Sequence, residues 1–513
     1  MIALSVAQIA AIVGGELADI SAEDATSRYV TATVEFDSRK ITSGGLFLAL
    51  PGARADGHDH AASAVAAGAV AVLAARPVGV PAIVVAPDPH AARRAGGGLA
   101  GVLEYDTDGS GAAVLAALAK LAAAVAAELV AGGLTIVGIT GSSGKTSTKD
   151  LLAAVLAPLG EVVAPPGSFN NELGHPWTVL RATAATDYLI LELSARHPGN
   201  ITALAAIAPP AIGVVLNVGT AHLGEFGSRE AIAKTKSELP QAVPRSGVAV
   251  LNVDDPAVAA MAEVTAARVV RVSRNSQTDV WAGPVTLDEL ARPQFALHSA
   301  DSVVDVTLAV HGDHQVSNAL CAAAVALECG ATLAQVAAAL ADAGPVSGHR
   351  MRVSTRADGV TVIDDAYNAN PDSMRAGLQA LAWISAGSGG GPVGKRRSWA
   401  VLGEMAELGD DAISEHDRIG RLAVRLDVSR LIVVGTGRSM SAMHHGAVME
   451  GARGLEGEPE AAIAADADAA LALLRAELQP GDVVLVKASN AAGLGALADS
   501  LADSAVDGRG DTR

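Results

Sequence analysis

The chain has 513 residues, enough at roughly 150 per domain for three or so domains with sizeable cores, which excludes a peptide hormone or a disulfide mini-domain. With 37 Lys+Arg against 55 Asp+Glu, the formal charge of −18 argues against chain-wide attraction to nucleic acid or an anionic membrane, so any phosphate site must be built locally. Half of the residues are hydrophobic and 18% are charged, too apolar a balance for a disordered chain.

In chain order, MIALSVAQIAAIVGGEL has neither a basic leader nor a small-residue cleavage site; it predicts a short amphipathic helix stopped at Gly14-Gly15 and a cytoplasmic protein. Short β-type runs (LFLAL, AVAVL, AIVVA) alternate with turn clusters such as PGARADGHDH, predicting a small α/β domain over residues 1–107. Glycines and acids between Gly96 and Gly111 read as a linker. The apolar stretch from Ala112 is mostly alanine and is interrupted by Lys120 and Glu128, so it predicts a helix of a soluble domain and no membrane insertion.

Residues 108–345 then alternate strands with helices: TIVGIT, a helix from Thr146, YLILEL, IGVVLNV, a helix around Ser228 to Leu239, and VAVLNV. That order predicts a mostly parallel sheet. Cys321 and Cys329 share an alanine-rich helical segment at no metal or disulfide spacing and are expected as small core residues. Over residues 346–513, VTVIDDAY, SWAVLGEM, RLIVVG and DVVLVKAS predict a second α/β sheet. The loop SAGSGGGPVGKRRS is expected as a solvated connection and the tail DGRGDTR as frayed.

The sharpest local motif is TIVGITGSSGKTSTKD, a β run that ends in a glycine-rich turn and opens a helix. Gly141 and Gly144 let the amides of Ser142, Ser143 and their neighbours turn inward, Lys145 supplies a charge for β/γ-phosphates, and the hydroxyls of Thr146 and Ser147 follow at the helix start, Thr146 being suited to Mg²⁺. The fit to GxxxxGK[ST] is partial, since Ile139 occupies the place of the first glycine. Glu192 after YLIL, His222 after IGVVLNVGTA, and Lys234 or Lys236 on the next helix put metal-competent groups at or beyond strand ends, where ligands collect in open α/β sheets. FNNELGHP adds Asn170 and Asn171 in a polar turn.

Taken in order, GITGSSGKTS, FNNELGHP, ELSARHPGNI, NVGTAHLGEFGS, KTKSE, HGDHQVSNAL, GHR and DDAYNANPDSM resemble the ATP-dependent Mur ligase family of peptidoglycan synthesis, nearly end to end. The resemblance implies three α/β domains: a small N-terminal UDP-substrate domain, a central P-loop-type ATPase with a mostly parallel sheet and flanking helices, and a Rossmann-like C-terminal domain that closes on the nucleotide. It further implies that residues 141–147 hold ATP, that Thr146, Glu192 and His222 serve Mg²⁺, and that Lys236, 14 residues after His222, carries a carbamate. Lys145, His222, Lys236 and Arg350 become the expected catalytic set. Asn318, Arg350, Asp365 and Asn368 are expected around the nucleotide, with Tyr367 and Asn370 in the same loop. Ser38 and Arg39, with Asn170 and Asn171, are expected at the UDP substrate, and Glu404, Glu407 and His416 at the amine substrate.

DDAYNANPDSM and GEMAELG resemble the member that adds D-Ala-D-Ala to UDP-MurNAc-tripeptide, so these two are the expected partners of a monomeric enzyme with no nucleic-acid ligand. The preceding ligase, which adds the third amino acid, and a nucleotide-binding regulator without catalysis are the alternatives. Three departures from the family pattern stand out: Gln315 for an asparagine, ELSAR for ELGA, and VKASN, with Lys487, Ser489 and Asn490, for KGSR.

Overall fold

The computed structural model describes residues 1–87, 103–219, 223–300, 302–387, 396–452 and 460–503. His222, residues 96–102 of the first linker, residues 388–395 of the glycine-basic loop and the tail from Asp507 lie outside the described residues.

At the N-terminus, Ser5 caps the helix Val6–Val13 in a reciprocal box with Gln8, and Gly14 ends it at φ 72°, a left-handed turn that suits glycine. Behind it, the predicted runs form Gly45–Leu48, Ala69–Ala74 and Ala82–Val84, the parallel middle of a five-stranded sheet. Its edges are Val34–Glu35 and the antiparallel Glu16–Ala18.

The alanine-rich helix spans Ser110–Ala131. It is long and apolar enough to cross a membrane, yet its leucines, valines and alanines pack into one core with Val6, Ile9 and Leu46 on one side and Leu189, Leu191 and Leu204 on the other. Alanine dominates because the helix is pressed between two layers, where larger side chains would overfill the space.

The central sheet has ten strands. Thr135–Thr140 lies between Tyr188–Glu192 and Ile212–Val215, all parallel and in register, followed by Val248–Asn252, Arg268–Ser273 and Val280–Ala282. Beyond that, Pro293–Ser299 pairs antiparallel with Val280–Ala282, Thr286–Leu287 and Ser302–Thr307, an extension that the sequence pattern did not announce. Helices Lys145–Leu156 and Gln315–Glu328 cover one face, with Cys321 buried beneath them and Cys329 half-buried at the helix end.

One predicted helix is corrected. Ser228–Leu239 is two pieces, Arg229–Lys236 and Glu238–Ala242, because the ring of Pro240 would collide with the carbonyl of residue 236 in a continuous helix.

The third sheet has six strands, in the order Arg352–Thr355, Thr361–Asp364, Val483–Lys487, Ser398–Leu402, Arg430–Val434, Glu460–Ala464. All but the first run parallel. The carboxyl ends of strands in the central and third sheets supply walls of one cleft of about 1530 Å³.

Candidate active site

The cleft begins where Thr135–Thr140 ends. Gly144 adopts φ 84°, and a Cβ there would stand 2.6 Å from Asn318 Oδ1, so both conformation and space require glycine. Lys145 opens the helix, its ammonium donating to the Gly141 carbonyl at 2.7 Å. Burial pushes that ammonium's pKa down; Glu192 and Glu407 oppose the shift, and Arg350 adds to it. The amides of Ser142 and Ser143 both donate to Asn217 Oδ1 at 3.0 Å, so the loop already presents converging N–H groups to an oxygen acceptor. Asn217 is the next-to-last residue of IGVVLNV, two positions beyond the strand Ile212–Val215, and that place just past a strand end is the one signal of it in the sequence.

Beneath the loop, the Thr146 hydroxyl donates to Glu192 Oε2 at 3.2 Å, and Ser168 approaches the same oxygen at 3.4 Å. Glu192 is fully buried, its other oxygen has no hydrogen-bond partner, and burial raises its pKa. An orphaned buried carboxylate oxygen next to a threonine hydroxyl is a hard-oxygen pair suited to a divalent cation. Lys236 is also buried; desolvation, then the charge of Lys145, drives its pKa well below that of an ordinary lysine. Lys234, two residues earlier on the same short helix, is exposed.

Across the cleft, Arg350 Nη2 lies 3.5 Å from the Thr146 hydroxyl, with its guanidinium 4.2 Å over the Tyr367 ring. Both its neighbours, His349 and Met351, have left-handed backbones (φ 55° and 49°), strain of about 1 kcal/mol or more each that surrounding contacts must hold. His349 Nδ1 sits 2.9 Å from Asp364 Oδ2, and the Met351 amide donates to Asp365 Oδ1 at 3.2 Å. Asp365 Oδ2 and the Asn368 carbonyl also receive the buried Lys487 ammonium at 2.5 and 2.9 Å. Asn370 caps the helix Pro371–Ala386.

Asn318 is buried, its amide donating to Gln315 Oε1 at 2.8 Å. Asn170 and Asn171 line the cleft; Asn171 caps the turn at Leu173 and Gly174. Ser142 through Ser147, Asn318, Arg350, Asp365 and Asn368 therefore line one cleft together with Asn170, Asn171 and Glu407.

Other expected residues fall elsewhere. His416 is fully buried, Nε2 accepting from the Met405 amide and Nδ1 bonded to the Ala412 carbonyl, so it has no surface for a substrate and instead pins the 403–408 loop. Glu404 is exposed and does not line the cleft. Ser38 and Arg39 also stand apart from it, in a short turn capped by Asp37. Arg39 is largely exposed and paired with Asp37, which holds that carboxyl at a pKa of about 2.

Two further polar groups escaped the sequence. Lys149 is buried, donating to the Pro165 carbonyl and the Ser347 hydroxyl (2.9 and 3.1 Å) beside Asp150 at 2.7 Å, and so ties the phosphate-loop helix to the segment entering the third sheet. Arg196 reaches Glu407 Oε1 at 3.2 Å from the other side of the cleft.

Comparison with known proteins accords with this arrangement. Residues 31–96 match a model of the Mur ligase family catalytic domain, 139–326 the Mur ligase middle domain, and 349–490 the Mur ligase glutamate ligase domain. The chain is 78% identical over 508 residues, 98% of both chains, to the UDP-N-acetylmuramoyl-tripeptide--D-alanyl-D-alanine ligase of Mycobacterium tuberculosis. Its fold is similar to crystal structures of MurF from Acinetobacter baumannii (28% identity, TM-score 0.78, covering 98% of this chain and 99% of that one) and of MurF ligase from Thermotoga maritima in complex with ADP (26%, 0.73, 94% and 99%). With three domains, a phosphate loop facing a third-domain arginine, and 78% identity to a relative over nearly the whole chain, the chain belongs to the Mur ligase family.

Proposed function

We propose that this protein is an ATP-dependent amide ligase that joins D-alanyl-D-alanine to UDP-N-acetylmuramoyl-tripeptide, releasing ADP and phosphate, in peptidoglycan precursor synthesis. The observation that carries this reading is the full-length likeness to the D-alanyl-D-alanine ligases, in a chain whose cleft retains the phosphate loop.

A carboxylate does not form an amide in water unless its oxygen is first made a leaving group. The tripeptide carboxylate attacks the γ-phosphorus of ATP, ADP departs, and the dipeptide amine then attacks the acyl carbon and expels phosphate. Both partners in the first step are anionic. Lys145 and the amides of Ser142 and Ser143 are suited to hold the phosphates, while Arg350 adds charge from the opposite wall. Thr146 and Glu192 would hold Mg²⁺, which screens the phosphate charge when bound.

Lys236 fits the carbamate reading because its amine is buried near the Lys145 ammonium, where a second cation is costly and an anion would be favoured. His222 completes the metal set only by resemblance. The third domain's contacts at Arg350 suit water exclusion, which an acyl phosphate needs. Dependence on ATP and a nucleotide-linked precursor fits a cytoplasmic place of action.

The test is phosphate release from ATP and Mg²⁺ with UDP-MurNAc-tripeptide alone, D-Ala-D-Ala alone and both together, with the product identified by mass spectrometry. Release that needs both, with a UDP-pentapeptide product, is expected. Turnover with UDP-dipeptide and a single amino acid would assign the preceding step instead, and no turnover would leave a nucleotide-binding regulator.

A further inference from the structure

The incoming dipeptide is a zwitterion, with an ammonium at one end and a carboxylate at the other. Recognition therefore calls for one cation and one anion facing the same space beside the phosphate loop. The described cations lining the cleft sit in different settings. Lys145 donates to Gly141, Arg274 grips both oxygens of Asp313 at 2.7 Å, Arg350 lies over Tyr367, and Lys487 is buried between Asp365 and the Asn368 carbonyl.

Arg196 differs. It follows Glu192 by four residues, on the loop leaving a central strand, and its side chain is 43% exposed. Its carboxylate partner, Glu407, comes from the third domain and is 37% exposed. Such a half-exposed pair in a wet cleft is weak, so a ligand that offers each member a new partner displaces it readily.

Glu407 is a non-glycine residue at φ 64°, and the loop that carries it is pinned by the Ala406 amide on Ser489 Oγ (2.9 Å) and the Met405 amide on His416 (2.9 Å). Strain held in place by its surroundings is a mark of a working site. Glu407 lines the same cleft as Lys145, so a group held by Glu407 faces the phosphate loop.

We propose that Arg196 and Glu407 together seat the zwitterionic dipeptide, Arg196 taking its terminal carboxylate and Glu407 its ammonium group, and that their mutual ion pair is the resting state of that seat. The proposal rests on the ligase reading above. An extended dipeptide spans about 7 Å, so the pair must part to admit it, which the long side chains and their placement on two domains allow.

The test compares D-Ala-D-Ala with D-alanyl-D-alaninamide, which keeps the amine and lacks the carboxylate. In the unaltered enzyme the amide should show a KM on the order of ten- to a hundredfold higher, the usual worth of a charged hydrogen-bonded contact. Arg196→Ala should raise the KM for the acid by the same factor, treat acid and amide alike, and leave the KM values for ATP and the UDP-tripeptide within about twofold. Arg196→Lys should recover part of the discrimination. Glu407→Gln should raise the KM for both dipeptides while keeping the acid-to-amide ratio. An Arg196→Ala enzyme that preserves the full ratio would assign Arg196 to domain contact alone and overturn the proposal, as would an unaltered enzyme indifferent to the amide. An unaltered enzyme that joins neither dipeptide overturns the ligase reading as well.

Discussion

Asn318 Oδ1 occupies the space that a side chain at Gly144 would need, while the Asn318 amide nitrogen donates to Gln315 one helical turn earlier. The residue at the family's usual asparagine position, Gln315 here, is thereby a support for Asn318 and not a gap in the site. The first two predictions come from this contact.

Gly144→Ala meets two obstacles, a left-handed backbone and a 2.6 Å approach to Asn318, and should cost about 1–3 kcal/mol of stability with a large loss of turnover. Adding Asn318→Ala removes the collision but leaves the backbone strain, so thermal melting of the double variant should recover only in part. Gln315→Leu removes Asn318's acceptor and should raise the KM for ATP about tenfold while the melting temperature stays within a few degrees.

Lys236→Met separates function from stability. A buried amine that resists protonation contributes little to folding, so the variant should melt at or above the temperature of the unaltered protein. Turnover should fall at least a hundredfold, the usual scale for loss of a group serving transition-state charge, and bicarbonate should not restore it. Near-normal turnover would remove Lys236 from the metal site.

Lys149→Met leaves Asp150 and three oxygen acceptors without their cation. Breaking such a buried pair costs about 3 kcal/mol and should lower the melting temperature by roughly 5–10 °C, read by calorimetry. A shift below about 1 °C would mean that the segment at Ser347 is held by other contacts.

His175 is buried under the Glu192 strand. Burial, only weakly opposed by the backbones of Glu192 and Leu204, brings its pKa from 6.5 to about 4, and neither ring nitrogen meets hydrogen-bonding geometry. The folded pKa lies below the unfolded one, so the unfolded chain takes up the proton first and stability falls as pH drops from 6.5 toward 4. Fully expressed, the loss is about 3 kcal/mol. Urea unfolding at pH 7 and pH 4.5 should show the decline, and His175→Leu should flatten it; an unchanged slope in the variant would transfer the effect to other groups.

The phosphate loop, the strands around it and the alanine-rich helix were legible in the sequence because each is local: a β run, a glycine turn and a helix start lie within a few residues of one another. His416 was misread for the complementary reason. A histidine near GEMAELG looks available in one dimension, and only packing shows that both its nitrogens are spent on backbone groups. Pro240 could have split the helix after Lys236 from sequence alone, since its ring acts on the residue four positions before it.

By itself, the sequence determined the α/β class, the phosphate loop and the family resemblance, since short-range periodicity and contiguous motifs carry all three. Tertiary structure decided which polar groups face one another: Asn217 on the loop amides, Lys149 on Ser347, Arg196 on Glu407. These pairs join residues from 74 to 211 positions apart, and their meeting depends on how three sheets pack around a shared cleft, a long-range outcome that no local pattern encodes.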